Sequence, residues 1–378
     1  MGMQSGILNR LHVDNYRCLV NFDCRFEARQ LILGGNGSGK STVFDVLGLL
    51  RDFCVMGVSP DERFVGRTRT RWQDVPEQRF ELDVTCSGSP YRLSLVIDTY
   101  GHPGRPRVKE ELVTCEGHPV FRFAEGEVHL FNDRYEHKVQ YPFDWHRSAL
   151  ATITERPENT KLSWFKRWLG GLLYVSPDPR RMSGVADQEA KWPDQYLTNF
   201  ADWYRHVRLE SATHEYVRQL GEVITGLEDL ALEDVGERRR EILVKFGGAA
   251  NGRRSDPSGY LLSELSEGQR VLIGLYAILH FALKPGRTIC FDEPDNFIAL
   301  REIQPWLSEV FERTEDEQSP AQVLIASHHP ELLNRLAFKE GILLDRPDGR
   351  HTRVRRFADP TDTGLTAAEL VARGWENA

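Results

Sequence analysis

The alternation of apolar and polar residues predicts strands at the start of the chain and a helix directly after them. Residues 8–19 alternate with the two-residue period of a β-strand, and the apolar end of 26–33 leads straight into glycines. Both segments are therefore predicted to be strands. After residue 41 the apolar positions follow one face of a helix. These positions are Val43, Phe44, Val46, Leu47 and Leu50.

The next part of the chain has the pattern of an antiparallel meander. Residues 57–71 are rich in Gly, Pro, Asp and Arg, which favours a loop. After this loop come short β-like runs separated by Ser-Gly, Pro-Gly and Glu-Gly turns. The runs are 80–84, 91–97, 108–114, 120–123 and 127–131.

Residues 148–232 have a largely helical pattern with two apolar stripes, which we interpret as core packing. The stripes are Trp164, Phe165, Trp168 and Leu169, then Tyr196, Phe200, Trp203, Tyr204 and Val207. Four shorter segments are also predicted: a strand at 174–175, a rigid loop at 176–181, a strand at 241–246 and a flexible connection at 247–259. From residue 261 onward helices and strands alternate. The predicted fold class is α/β, with a sheet covered by helices.

Composition and charge exclude several classes of protein. With 378 residues, 40% of them hydrophobic and 28% charged, the chain can bury a core as one large or two medium domains. Its formal net charge is -8, so a nucleic-acid contact needs a local basic patch. Six scattered cysteines without a CxxC pair favour neither a zinc knuckle nor a disulfide framework. The longest apolar run, 271–283, is too short to span a bilayer, so we expect a cytoplasmic protein with no membrane partner.

A phosphate-binding loop is indicated by Gly34-Gly35-Asn36-Gly37-Ser38-Gly39-Lys40-Ser41. The segment fits G-x-x-x-x-G-K-[ST] between an apolar strand and a helix, which is the context that the motif requires. Glycines let backbone N–H groups turn toward a phosphate, and the following helix presents its positive end. Lys40 is predicted to bind the β- and γ-phosphates of a nucleotide, and Ser41 to hold Mg²⁺.

Two further strands end in residues that suit phosphoryl transfer. The apolar run that starts at residue 288 ends in Asp292 and Glu293. Phosphoryl transfer needs one acid to support Mg²⁺ and one base to orient the attacking water, and these residues fit those roles in order. A strand from residue 322 ends in Ser327-His328-His329-Pro330, where a histidine can contact the γ-phosphate and sense its loss.

A second anion-binding turn is predicted at the start of the apolar helix near residue 271. Ser266 is a natural N-cap in the segment Leu265-Ser266-Glu267-Gly268-Gln269-Arg270. The segment is either a simple helix start or an anion site at the positive end of the helix. A two-fold dimer would let this turn of one protomer close on the nucleotide of the other.

Together these motifs resemble the ABC-type ATPase superfamily, in particular its SMC, RecF and OLD-like branch of soluble ATPase heads. Residues 11–17 are similar to the family's opening strand with its "NF-R" element, and the further matches are Walker A (34–42), the LSGGQ-type signature (265–269), Walker B (288–293) and the switch histidine (327–328). The signature has Glu267 where many members have Gly, which family variation permits. Segments 292–296 and 327–330 are most similar to the compact ABC-type AAA proteins of bacterial anti-phage defence.

The resemblance implies an ABC-type P-loop ATPase head with a mixed sheet, an antiparallel β meander and an inserted helical lobe. It divides the chain into an N-terminal ATPase lobe (1–145), a helical insertion (146–260) and a C-terminal ATPase lobe (261–378), with the first and third forming one nucleotide-binding domain. It also implies Mg²⁺-dependent hydrolysis of ATP in a head-to-tail dimer that holds two ATP and Mg²⁺.

Family roles carry over residue by residue. The implied catalytic residues are Glu293, His328 and Lys40, and the implied Mg²⁺ ligands are Ser41 and Asp292. The implied nucleotide contacts are Arg17, Gly34, Asn36, Gly37, Ser38, Gly39, Lys40, Ser41 and Thr42 of one protomer, with Ser266 and Gly268 of its partner. Gln78 and Gln140 are both candidates for the Q-loop glutamine.

Two hypotheses describe what the ATPase is for. In the first, ATP closes a homodimer or a higher homo-oligomer, hydrolysis opens it, and a separate effector (a nuclease or a toxin), DNA or RNA responds, in anti-phage defence or DNA transactions. In the second, an ATP-loaded scaffold holds or inhibits a toxic partner and turns over slowly. A transporter subunit and a hexameric AAA+ motor are disfavoured by the meander and the signature, respectively. Four basic groups, around residues 105–109, 238–240, 253–254 and 353–356, are interpreted as solvated faces rather than as DNA contacts.

Overall fold

The computed structural model describes residues 6–64, 66–99, 105–247, 249–250, 253–254, 258–315, 321–358 and 364–374. Its strands are β1 (Gly6–Asp14), β2 (Phe22–Arg25), β3 (Arg29–Leu33), β4 (Glu77–Cys86), β5 (Ser89–Asp98), β6 (Arg107–Cys115), β7 (His118–Ala124), β8 (Glu127–Phe131), β9 (His137–Pro142), β10 (Leu173–Val175), β11 (Val185–Ala186), β12 (Leu227–Asp234), β13 (Arg240–Phe246), β14 (Ala249–Ala250), β15 (Arg253–Arg254), β16 (Ser258–Leu261), β17 (Thr288–Asp292), β18 (Gln322–Ala326), β19 (Gly341–Asp345) and β20 (Arg353–Arg356). Its α-helices are α1 (Lys40–Cys54), α2 (Pro60–Arg63), α3 (Ala149–Thr152), α4 (Thr160–Gly170), α5 (Phe200–Val207), α6 (Thr213–Val223), α7 (Glu267–Ala277), α8 (Leu300–Thr314), α9 (Pro330–Glu340) and α10 (Ala367–Ala372).

The chain forms two compact units. Unit 1 consists of Met1–Leu173, Pro285–Cys290 and Ser319–Ala378, and unit 2 of Tyr174–Lys284 and Phe291–Gln318. Unit 1 contains an eight-stranded sheet in the order β2-β1-β4-β5-β6-β7-β8-β9, with antiparallel neighbours throughout. The predicted antiparallel meander is confirmed, and β9, which is mostly exposed and has no apolar alternation, is an additional strand at its edge.

A six-stranded mixed sheet carries the strands that precede the predicted site. Its order is β10-β17-β18-β3-β19-β20, and apart from the last residues of β10 and β17 it lies in unit 1. Strands β18, β3 and β19 are parallel, and β20 pairs antiparallel with β19 at the edge. Strands β17 and β18 are buried at every position, as continuous apolar runs in a parallel sheet should be.

A buried glutamine ties the first strand of the meander to this sheet. The side chain of Gln322 is fully buried; its Nε2 donates to the carbonyl oxygens of Leu8 and Glu27 at 2.8 and 2.9 Å. Its Oε1 accepts from Leu8 N and from Thr288 Oγ1, both at 2.8 Å. Each polar atom of the amide is therefore satisfied without water, which is what allows it to be buried.

Unit 2 combines helices with a small antiparallel sheet of β11, β13, β12 and β16. The second aromatic stripe is core, as predicted, except at Tyr196: Phe200, Trp203 and Tyr204 are at most 1% exposed, whereas Tyr196 is half-buried. Tyr216 of α6 is also buried and donates its hydroxyl to the Ile273 carbonyl of α7 at 3.0 Å. The predicted apolar helix 271–283 is α7 up to Ala277 and then a π-helical turn, Ile278–Ala282.

Three sequence predictions need correction. The predicted loop 57–71 contains α2 and a 3₁₀ turn. Helix α2 forms because Pro60, in its first turn, favours a helix start. The segment 148–232, predicted to be largely helical, has no helix between residues 176 and 199, because prolines interrupt the pattern there. Its last residues form β12, because they pair with β13. The predicted flexible connection 247–259 contains the paired strands β14 and β15, and its residues 248, 251–252 and 255–257 lie outside the described ranges.

The structure gives the state of the cysteines and the lengths of the described helices. All six cysteines are buried, and none of them forms a disulfide. Within the described ranges, no helix combines the length and the apolar character that crossing a membrane requires.

Candidate nucleotide site

The loop between β3 and α1 forms a glycine-lined cradle in unit 1. Gly34, Gly37 and Gly39 have φ values of +143°, +78° and +110°, which L side chains rarely adopt. A Cβ atom on Gly34 would lie 2.3 Å from the Leu344 carbonyl oxygen, whereas at Gly35 and Gly37 it would meet nothing within 4 Å. The start of the loop thus packs closely against a neighbouring backbone, whereas the space beside its middle is open, as phosphate binding requires.

Three features of this cradle fit a phosphate ligand. Ser38 Oγ is buried, and no group in the described part of the chain hydrogen-bonds to it. Helix α1 begins after Gly39 with no side-chain cap, so its first N–H groups are available to an anion. Lys40 is 7% exposed, and its Nζ lies back on the loop, donating to Gly34 O at 2.5 Å and Gly35 O at 3.4 Å.

Arg17 lies in a turn of unit 1 that contacts α1. It has a positive φ of 49°, its backbone N–H donates to Thr68 O at 2.7 Å, and its guanidinium forms an ion pair with Asp45 of α1. The next residue, Cys18, has its Sγ 3.9 Å from Thr42 Oγ1. The turn predicted to contact the nucleotide is therefore attached to the helix that follows the phosphate loop.

His328 and His329 have different surroundings at the end of β18. Because β18 runs parallel to β3, its carboxyl end meets the same sheet edge as the start of the phosphate loop. His328 is exposed there. His329 is 4% exposed and caps α9, its Nδ1 accepting from Glu331 N at 3.2 Å. His329 thus has a structural contact, and the switch role of His328 stays a prediction.

The acidic pair lies in unit 2. Asp292 is 6% exposed and accepts a hydrogen bond from the Tyr174 hydroxyl at 3.1 Å, a partner that the sequence did not predict. Glu293 has a positive φ of 49°, rare for a residue with a side chain, and its Oε2 accepts from Asn296 Nδ2 at 2.8 Å. Consecutive carboxylates are thus held by different partners, one buried and one half-exposed.

The signature segment begins α7 in unit 2 with a full capping box. Ser266 Oγ accepts from Gln269 N at 3.3 Å, and Gln269 Oε1 accepts from Ser266 N at 3.1 Å, so the predicted N-cap is confirmed. Gly268 packs so closely that a Cβ there would lie 2.9 Å from the Phe297 carbonyl oxygen. The signature turn and the segment after Glu293 are therefore neighbours.

Arg180, in the loop 176–181, forms an ion pair with Glu267, the acidic residue of the signature segment. Arg180, 70% exposed, donates to Glu267 Oε1 at 2.7 Å, and this hydrogen bond lowers the pKa of the Glu267 carboxyl. The guanidinium also lies 5.7 Å from the centre of the Phe297 ring. The loop itself is anchored, since Arg270 donates to Pro179 O at 2.6 Å. Sequence reasoning missed Arg180 because an arginine in a Pro-rich turn carries no pattern.

The two Q-loop candidates differ in their surroundings. Gln78 is fully buried and donates to Asn15 O at 2.9 Å. Gln140 is exposed on β9, where it bonds Glu127. The assignment of the Q-loop stays an open prediction.

Several arginines of the predicted basic groups are paired with acids. Arg107 Nη2 lies 3.0 Å from Asp98 Oδ2, and Arg239 Nε lies 2.9 Å from Asp187 Oδ1. The side chains of 253–254 lie outside the described residues. Binding of a nucleic-acid partner stays a prediction.

Unit 1 thus brings together the phosphate loop, Arg17 and the sheet edge of His328, and unit 2 brings together the acidic pair and the signature turn. This combination of fold and motifs defines the class of ABC-type P-loop ATPase heads. The chain belongs to the AAA family whose model is described as "AAA domain, putative AbiEii toxin, Type IV TA system", which matches residues 31–334.

Solved structures support the fold. A crystal structure of an Smc head bound to the C-terminal winged-helix domain of ScpA has a TM-score of 0.54 at 10% identity, covering 95% of this chain and 99% of that one. An Smc head from Pyrococcus furiosus, with an extended coiled coil and bound to the C-terminal domain of ScpA, gives 0.53 at 11% identity, covering 98% and 99%. The expected SMC-like ATPase head is confirmed at the level of fold. A search of curated proteins found no match.

Proposed function

We propose that this protein binds and hydrolyses ATP and uses the cycle as a conformational switch acting on a separate protein. The observation that carries the proposal is the glycine cradle followed by an uncapped helix. Within the cradle, the buried Ser38 hydroxyl has no hydrogen-bond partner among the described residues. Backbone N–H groups and Lys40 would bind the phosphates, with Gly34, Asn36, Gly37, Gly39 and Thr42 shaping the loop around them.

Each acid has a distinct role in this proposal. Glu293 accepts a proton from the attacking water and orients it toward the γ-phosphorus, and the products are ADP and phosphate. The Ser41 hydroxyl and Asp292 would hold Mg²⁺, which neutralises charge on the phosphates. Two protein ligands are enough for Mg²⁺, which takes its remaining ligands from phosphates and water. His328 would contact the γ-phosphate and report its loss.

The second half of the proposal is a dimer in which Ser266 and Gly268 of one protomer close on the nucleotide of the other. The positive end of the α7 dipole supports it, and the capping box leaves fewer N–H groups for an anion than at α1, because it occupies the Gln269 N–H. Glu267 opposes it, because its carboxylate would face a phosphate. Arg180 resolves this conflict by pairing with Glu267.

This pairing makes a prediction about assembly. In a Glu293→Gln background, Arg180→Ala is expected to weaken ATP-driven association by about tenfold, since Glu267 then repels the phosphates. Adding Glu267→Gly should restore association. The matched control is Arg239→Ala, which breaks another exposed arginine–carboxylate pair of unit 2. Sedimentation with Mg-ATP measures the dimer fraction; an Arg180 variant that associates normally, or a double variant as weak as the single one, contradicts this role.

The proposed partner is a separate effector, in anti-phage defence. Both matched Smc heads are described as bound to a domain of ScpA, and the family description names a type IV toxin–antitoxin system. The same description also favours the second candidate, an ATP-loaded scaffold that holds a toxic partner. Stable co-purification with a neighbouring-gene product, insensitive to the Glu293→Gln change, would favour the scaffold over the switch.

The catalytic proposal is tested by removing the metal. Purified protein with Mg-ATP is expected to release phosphate, and excess EDTA should lower the rate by about 100-fold or more, since metal charge stabilisation is worth several kcal/mol. Restoring Mg²⁺ should restore the rate. Phosphate release that is undetectable with Mg-ATP, or unchanged in EDTA, contradicts the proposal.

A further inference from the structure

The hairpin formed by β19 and β20 lies directly behind the phosphate loop. Thr352, which directly precedes β20, is 3% exposed, and its Oγ1 donates to the Ser38 carbonyl oxygen at 2.8 Å. From the tip of the hairpin, Arg346 Nη1 donates to the Gly37 carbonyl oxygen at 2.9 Å. Two successive carbonyls of the loop are thus held by residues more than 300 positions away in sequence.

These contacts bear on phosphate binding because a peptide group is planar. Fixing a carbonyl also fixes the direction of the N–H in the same plane, which points the opposite way. The Ser38 carbonyl held by Thr352 therefore orients the Gly39 N–H. The Gly37 carbonyl held by Arg346 orients the Ser38 N–H, which donates to Gly35 O at 3.1 Å and closes the loop.

Thr352 also connects the loop to the Arg17 turn. Its backbone N–H donates to the Cys18 carbonyl oxygen at 2.9 Å. A Cβ atom on Gly39 would lie 2.7 Å from Thr352 Oγ1 and 3.2 Å from Cys18 Sγ, so the three residues are in tight contact. Thr352 thus contacts both the phosphate loop and the Arg17 turn, the two segments of unit 1 before α1 that are predicted to bind the nucleotide.

Arg346 is itself held in place by the hairpin tip. Its Nε donates to Arg350 O at 3.0 Å, and its Nη2 donates to Gly349 O. The guanidinium therefore links the carbonyls of the tip to the carbonyl of the loop, and the hairpin acts as a brace.

We propose that Thr352 and Arg346 are positioning residues that hold the phosphate loop in its ATP-binding conformation. The inference rests on the proposed function, because it concerns the affinity of the same site for ATP. Thr352→Val keeps the shape and removes the hydroxyl; it is expected to weaken binding of a fluorescent ATP analogue by about tenfold. Thr352→Ser keeps the hydroxyl and should bind within about twofold of the parent, since only a methyl group is lost.

A control separates positioning from a loss of stability. Thr99, in the same unit as Thr352, is 7% exposed, and its hydroxyl donates to the Pro76 carbonyl oxygen at 2.6 Å. Thr99→Val should therefore lower the free energy of unfolding in urea as Thr352→Val does, but leave ATP affinity unchanged. If Thr352→Val binds ATP as the parent does, or if the Ser variant is as weak as the Val variant, the brace is excluded.

Arg346→Gln keeps the inference testable if Thr352→Val does not fold. It is expected to weaken ATP binding by about three- to tenfold, and Arg350→Gln on the same exposed tip should not. Equal affinities of these two variants would overturn the role of Arg346. Failure of the parent protein to bind ATP would instead contradict the proposed function.

Discussion

Replacement of Glu293 by glutamine is expected to lower the rate of ATP hydrolysis by about 100- to 10,000-fold while ATP still binds. The loss is that of a general base, which contributes this much when it is correctly placed. Glutamine preserves the local geometry, because its side-chain oxygen can still accept the hydrogen bond that Asn296 Nδ2 gives to Glu293 at 2.8 Å. Phosphate release measures the loss of hydrolysis, and binding of a fluorescent ATP analogue to the same sample measures whether ATP still binds.

The matched control for this variant is Glu312→Gln. Glu312 is an exposed carboxylate on α8 in the same unit, and its loss should leave hydrolysis unchanged. A Glu293→Gln protein that hydrolyses ATP at the parental rate would remove Glu293 from the mechanism. One that no longer binds ATP would show that the residue shapes the site rather than activating water.

Replacement of Lys40 by methionine is expected to weaken ATP binding by about 100-fold, because charged hydrogen bonds of about 1.5 to 3 kcal/mol are lost. In the structure Lys40 Nζ donates to two carbonyl oxygens of its own loop, Gly34 O and Gly35 O. Methionine retains the apolar stem, so the fold should persist. Titration of a fluorescent ATP analogue, together with thermal unfolding, measures both effects.

Lys339→Met is the control, since Lys339 is exposed on α9 and belongs to the same unit. It should bind ATP as the parent does. If Lys40→Met binds ATP normally and is folded, the loop is not the phosphate site and the proposed function is wrong.

The parts of the site that were predictable from sequence are local motifs. The phosphate loop is eight consecutive residues between a strand and a helix, and the structure gives both elements, β3 and α1. The capping box of Ser266 and Gln269 spans four residues and was likewise visible as a helix start. In these segments the chemistry and the backbone signal occupy the same residues, so a single sequence suffices.

Contacts between distant parts of the chain were not predictable. Thr352 lies 314 residues after Ser38, and Tyr174 lies 118 residues before Asp292. Neither residue type is unusual in its own segment. Strand β12 was missed for the same reason, because its pairing with β13 outweighs the helical pattern of its residues.

The central claim, an ATP-driven dimer, is tested most directly by the light-scattering mass of the Glu293→Gln protein with and without Mg-ATP. The variant should keep ATP bound by blocking hydrolysis. We expect a mass of 43.4 kDa without nucleotide and twice that value with Mg-ATP. A mass that stays at the monomer value with saturating Mg-ATP would contradict the claim.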